Sequence, residues 1–153
     1  MHSRLLPVLL LLLLGPASLA AQSSVTGVRN LAFGPVIRGV QTTVAPTDAI
    51  RSGRFYVRHI LNRQVQLRFT LPNTLARVGG GGNLAISFAA TDAIAQGTGP
   101  TSVPVTFNPN NNQTFTLVSS ADFYINLGGR VSPTAGQATG NYSGTITLTT
   151  TFF

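Results

Sequence analysis

The sequence predicts an all-β protein, an antiparallel β-sandwich of about eight to ten short strands behind a cleaved export signal. Three observations predict it. Short segments alternate apolar and polar residues, the mark of a strand with one dry face and one wet face. The polar positions hold Thr, Asn, Gln and Ser, which suit strand faces and turns, rather than the Glu and Lys of exposed helix surfaces. Turn residues recur every 8 to 12 positions or so, and no stretch has the length and period of a βαβ unit.

Residues 1–21 read as a signal peptide. Met1 to Arg4 is a short basic start, residues 5–14 are almost unbroken apolar sequence, and small residues run from Gly15 to Ala21. The apolar run spans only about 15 Å as a helix, half of a hydrocarbon core of roughly 30 Å, so it fits a cleaved signal rather than an anchor. Cleavage leaves about 132 residues, enough for one domain with a real core. No second apolar run follows, so no transmembrane segment is expected in the mature chain. The protein is therefore expected in the periplasm, at the cell surface or outside the cell.

Residues 22–30 are expected as a polar N-terminal leader, and residues 31–153 as a single sandwich domain. A strand over 31–37 is bent at Gly34-Pro35. Strands over 40–45 and 54–60 follow, with a turn near Asn62. Residues 64–71 show clean alternation: Val65, Leu67, Phe69 and Leu71 against Gln64, Gln66, Arg68 and Thr70. Pro72-Asn73 stops that strand, and Gly79 to Gly82 is a plain loop. Residues 84–89 form a strand with Leu84, Ile86 and Phe88 inward. The segments 103–107 and 114–118 flank the Asn-rich turn at 108–112, residues 123–127 precede Gly128-Gly129, and 142–152 form the closing strand. The segments 45–53 and 89–97 share a Thr-Asp-Ala-Ile core and a final Gly, which reads as one capped turn used twice.

The closing strand alternates hydroxyl and apolar residues from Thr145. Tyr142, Ile146, Leu148 and Phe152 are its expected dry face, available for strand packing or assembly, and Phe153 falls on the wet side. With no cysteine in the chain, this strand must be held by packing alone, and no disulfide or thiolate metal site exists.

Charge is unusual. All ten basic residues are Arg, and the three acids are Asp48, Asp92 and Asp122. Loss of Arg4 with the signal lowers the formal charge from +7 to +6. Catalysis is not expected. The mature chain has one histidine, His59, with no acid or nucleophile beside it in sequence. Three scattered Asp residues do not form the paired carboxylates of glycoside hydrolysis, and one His is too few for zinc. No cofactor is expected. The arginines cluster instead: if the strands over 54–60 and 64–71 pair as a hairpin, Arg54, Arg58, Arg63 and Arg68 build a basic strand face with Tyr56 beside it. Guanidinium forks match carboxylates and phosphates, so an acidic polysaccharide or other polyanion is the expected ligand of such a face. No basic residues repeat along a nucleic-acid-sized track, and no specific nucleic acid is expected. The bland alternative is a solvated face whose charges prevent aggregation.

Asn30-Leu31-Ala32-Phe33-Gly34, Phe69-Thr70-Leu71-Pro72, Gly128-Gly129 and the ending 140–148 occur in this order. Together they resemble bacterial secreted domains related to spore coat protein U and to fimbrial, pilin-like subunits, many of them domains of unknown function. The resemblance covers nearly the whole mature chain. It implies an immunoglobulin-like sandwich displayed outside the cytoplasm as a building block of a coat or pilus, with related subunits or further copies as partners. Two departures stand out. Fimbrial subunits commonly have a disulfide, and this chain has no Cys; a penultimate Tyr is usual where this chain has Phe152. The expectation is an exported structural or adhesive subunit that assembles by adding a strand to a neighbour's sheet edge. Either the closing strand or the leader, with Val25 and Val28, is its candidate donor. The alternative is a monomeric secreted module that binds a polyanion through its Arg face.

Overall fold

The computed structural model describes residues 23–59, 62–99, 102–118 and 121–153; the signal-peptide reading of 1–21 lies outside them. The protein is a β-sandwich, all-β as expected, with every paired strand antiparallel. Thirteen strands are present among the described residues: β1 (Ser24–Arg29), β2 (Thr42–Val44), β3 (Gly53–Arg58), β4 (Arg63–Thr70), β5 (Thr74–Arg77), β6 (Asn83–Ser87), β7 (Ala93–Gly97), β8 (Val105–Phe107), β9 (Gln113–Leu117), β10 (Phe123–Leu127), β11 (Gly129–Ser132), β12 (Tyr142–Ser143) and β13 (Thr147–Phe152). No helix there is long and apolar enough to cross a membrane.

The first sheet has the order β1-β3-β10-β7-β8, the second β13-β4-β9 and the third β12-β5-β6-β11-β2. Alternation along each strand decides what faces inward. Val57, Ala93, Ala95, Phe107, Ile125 and Leu127 of the first sheet meet Val65, Leu67, Leu117 and Leu148 of the second in one core. Aromatic edges lock the two layers. Phe55 meets Phe69 at 5.6 Å between ring centroids, and Phe115 contacts both Phe107 at 5.3 Å and Phe123 at 5.5 Å. Edge-to-face pairs of this kind add about 0.5–1.5 kcal/mol beyond their buried area.

The third sheet covers a smaller cluster of Leu84, Ile86 and Val131, with Phe33, Val36, Leu75 and Tyr142 packed against it. Phe88 touches both clusters. Most connections change sheet, and three do so across very short links: β4 into β5 across Pro72, β10 into β11 at Gly128, and β12 into β13 through Ile146. At Gly128 the backbones come so close that a Cβ would lie 2.4 Å from the Val44 carbonyl oxygen and 2.7 Å from the Pro46 nitrogen. Glycine is needed there for space.

Several elements differ from expectation. The leader is not outside the sandwich: its residues 24–29 form β1, paired along β3 from Ser24↔Arg58 to Arg29↔Arg54. Its polar residues suit an edge strand, where only Val25 packs against the core. Residues 31–37 form no strand. Gly34 sits at φ +69°, and Pro35 cannot donate to a ladder, so the segment crosses between sheets with Phe33 and Val36 turned inward. The twin turns are real at their start, with Asp48 N–H donating to the Ala45 carbonyl (3.0 Å) and Asp92 N–H to that of Ala89 (3.1 Å). They then part. Residues 49–52 stay in a turn, whereas Ala93–Gly97 extends as β7.

Candidate binding surfaces

β1 is an edge of the first sheet, and β12 and β13 are edges of the other two. Edge strands carry main-chain N–H and C=O groups with no ladder partner on one side. β1 and β13 approach each other at one end, where Arg63 Nη1 donates to Ser23 Oγ (3.1 Å) and its guanidinium lies 5.4 Å from the Phe152 ring. Beyond this contact an open groove of about 980 Å³ lies between Gly27 and Arg29 of β1 and residues 142–146, the β12 edge with its link to β13. Its lining is mixed: Leu31, Phe33, Val36, Phe55, Leu75, Leu84, Ile86, Leu127 and Ile146 stand beside Arg29, Asn30, Arg38, Gln137 and Asn141.

The groove's walls are held by hydrogen bonds. On one side Tyr142 Oη donates to the Ala138 carbonyl (2.7 Å) and accepts from Gln137 Nε2 (2.6 Å). Gln137 Nε2 also reaches the Asn83 carbonyl (3.1 Å), and Arg77 Nε donates to that of Thr139 (2.7 Å). On the other, Arg29 donates to the Ser52 carbonyl (2.6 Å) and to Ser52 Oγ (2.8 Å). At the rim on β1, a side chain at Gly27 would meet nothing within 4 Å of its Cβ.

The closing-strand residues divide between the two clusters and the groove. Leu148 is buried opposite Phe69 of β4, and Phe152 is half-buried opposite Val65. Ile146 packs on the main core and lines the groove, and Tyr142 packs on the smaller cluster and lines it too. Phe153 is 68% exposed, its N–H donating to the Gln64 carbonyl (3.0 Å).

The arginines do not form the expected face. β3 and β4 are not a hairpin: they lie in different sheets and face each other across the core. Arg54 and Arg58 therefore sit on the outer face of the first sheet, with Tyr56 between them in sequence. Arg68 sits on the outer face of the second sheet. Arg63 shares the parity of inward Val65 and Leu67 and closes the end of the core beside Phe152. A four-residue basic patch is thus replaced by two separate surfaces and one structural residue.

The three carboxylates are all occupied. Asp48 Oδ1 accepts the N–H groups of Arg51 (2.8 Å) and Ile50 (2.9 Å), and Oδ2 bonds Arg51 Nε at 2.8 Å. The Arg51 and Ile50 amides hold its pKa down at about 2, helped by the Arg51 guanidinium. Asp92 accepts the Ala89 N–H (2.7 Å) and gives its carbonyl to the Gly128 N–H (2.7 Å). Asp122 accepts the Tyr56 hydroxyl (2.9 Å), which raises the pKa of that phenol because a phenolate would face the carboxylate. His59 follows β3, half-buried, with no hydrogen bond to its buried Nδ1 among the described residues. Within those residues no three His, Cys, Asp or Glu side chains converge as metal ligands.

Gly27 and Leu75 belong to the groove and have no signal in the sequence pattern, whereas Leu31 of the motif Asn30-Leu31-Ala32-Phe33-Gly34 lines it. Val25 and Val28, β-branched residues in an otherwise polar stretch, are the available sign that β1 is a strand, although their spacing of three puts them on opposite faces. No model of a known protein family matches this chain, and no curated protein matches it.

Proposed function

We propose that the protein is an exported structural or adhesive subunit that assembles when an extended strand from another copy or a related subunit enters the groove between β1 and β12. The observation that carries this reading is the coincidence of two free strand edges, β1 and β12, with one large groove between them whose floor is apolar side chains. Two edges offer main-chain bonds to both sides of an added strand, and the trough offers pockets for its alternate side chains. Both candidate donors identified in the sequence, β1 and β13, are already paired in their own fold. A strand filling the groove would therefore come from a second molecule, either a copy whose β1 has detached or a related subunit. The signal-like residues 1–21 and the resemblance to coat and fimbrial subunits support the same reading.

Gly27→Arg is the discriminating variant. The site has open space in the folded chain, so the substitution leaves the monomer intact while placing a long charged side chain at the mouth of the groove. The mature protein is expected to form oligomers or fibres by light scattering and electron microscopy, and the variant to remain monomeric with an unchanged melting temperature. A wild-type protein that stays monomeric at high concentration overturns the proposal.

A further inference from the structure

We infer that the outer face of the first sheet binds a uronate-bearing polysaccharide, on a platform formed by Tyr56, Tyr124, Arg54 and Arg58 with Gln96 and Asn126 beside it. The register assembles this platform from three strands that are distant in sequence. Tyr124 of β10 lies opposite Tyr56 of β3 and, on its other side, opposite Gln96 of β7. Asn126 lies opposite Arg54 in the adjoining row. Phe55, Val57, Phe123 and Ile125 occupy the inner face of the same strands, so these polar and aromatic groups all project outward.

The two tyrosine rings are 5.2 Å apart and tilted by 35°, and the Arg54 guanidinium lies 4.0 Å from the Tyr124 centroid. A cation held over an aromatic face is pre-organised, which reduces the ordering cost of a fork that meets a carboxylate. Asp122 fixes the Tyr56 ring through the phenol hydroxyl. On the far side of Arg54 from Tyr56 in the strand lies a depression of about 280 Å³ that neither ring lines; its polar lining includes Arg29, Arg54, Gln96 and Asn126, with Asp48 already held by Arg51. That is near the small end of ligand sites, roughly 300 Å³. It suits one sugar unit, with its neighbours lying along the flat face.

Charge selects the class of ligand. The one salt bridge among the described residues is Arg51–Asp48, and the other two carboxylates bond a phenol and an amide. Arg54 and Arg58 thus have no carboxylate partner there, and Arg54 Nε is buried without a hydrogen bond to any described residue. Aromatic rings receive the apolar C–H faces of sugars, amide side chains bond hydroxyls, and guanidinium groups bond carboxylates. A duplex or single strand of nucleic acid would need a longer basic track than two arginines provide.

Arg29 lines both the groove and the depression, but Tyr56, Tyr124, Arg54 and Arg58 do not line the groove, so failure of this site is distinguishable from failure of assembly. The test is calorimetric titration of the mature wild-type protein with polygalacturonate oligosaccharides, neutral malto-oligosaccharides and single-stranded DNA. Polygalacturonate is expected to bind best, with affinity that falls as salt rises. Arg58→Gln, at an exposed position, and Tyr124→Ser are each expected to weaken it at least tenfold. Arg68→Gln, on the opposite outer face, and Gly27→Arg are expected to leave it unchanged. Melting curves confirm folding, and Tyr124→Phe is expected to restore most of the affinity lost in Tyr124→Ser. The proposal is overturned by absence of polygalacturonate binding, by equal losses at Arg58 and Arg68, or by equal or tighter binding of the neutral sugar or the DNA.

Discussion

Gly128→Ala should be among the most damaging single-methyl additions in this protein, and Gly27→Ala among the least. The added Cβ at residue 128 would lie 2.4 Å from the Val44 oxygen, 2.7 Å from the Pro46 nitrogen and 2.8 Å from Pro46 Cδ. Relief requires a backbone shift, because two of those atoms belong to the main chain. Both sides resist it. The Gly128 N–H donates to the Asp92 carbonyl at 2.7 Å, and fully buried Val44 pairs with Gly129 in the third sheet. Overpacking of this kind costs about 1–3 kcal/mol, and a weakened backbone hydrogen bond about 1 more. A loss of about 3 kcal/mol from a total of roughly 5–15 lowers the melting temperature by about 6–12 °C in a chain of this size. At Gly27 the same methyl meets open space on a strand, and removal of glycine's unfolded-state freedom raises stability by about 0.4–1 kcal/mol. Thermal unfolding followed by circular dichroism measures both. Equal shifts in the two variants, or a Gly128→Ala protein as stable as wild type, would refute the account of the crossing.

Two further outcomes follow from the closing strand and the acidic turn. Leu148→Ala should cost about 2–5 kcal/mol in a denaturant titration, whereas Thr149→Ala, one residue away and exposed, should stay within about 0.5 kcal/mol; similar losses would mean that the strand's faces are misassigned. Asp48 titrates near 2 in the fold, below its ordinary value of 3.8, so its contribution is present above pH 4 and lost as pH falls toward 2. Asp48→Asn should therefore melt below wild type at pH 5, with the gap closing by pH 2. A gap that is constant with pH would show that the carboxylate's charge is immaterial to the turn.

Local pattern made some elements legible and hid others. β4 was readable because Val65, Leu67 and Phe69 alternate with polar residues, and all three face the core. β7 was not, because its inward residues are Ala93 and Ala95, small side chains that carry little strand signal yet are almost fully buried. Segment 31–37 was misread for the opposite reason. It has strand-like composition, but the left-handed turn at Gly34 and the following proline prevent pairing. The candidate sites depended on register between distant strands. A short link from β3 to β4 is equally compatible with a hairpin and with an arch between sheets, and residue spacing does not distinguish them. Tyr56 and Tyr124 are 68 positions apart, so only the β3–β10 register could make them neighbours.

The three shortest crossings from sheet to sheet also govern how the molecule can come apart. The smaller cluster has no chain segment wholly its own among β5, β11 and β12: each is continuous with a strand of the main core. Melting the third sheet therefore pulls on β4, β10 and β13 together, and the two clusters behave as one cooperative unfolding unit. β1 is held differently: its ladder runs to β3 alone and only Val25 packs against the core, while Arg29 bonded to Ser52 and Ser23 bonded to Arg63 pin its two ends. Freeing this strand therefore means breaking two side-chain anchors and one ladder rather than a packed core.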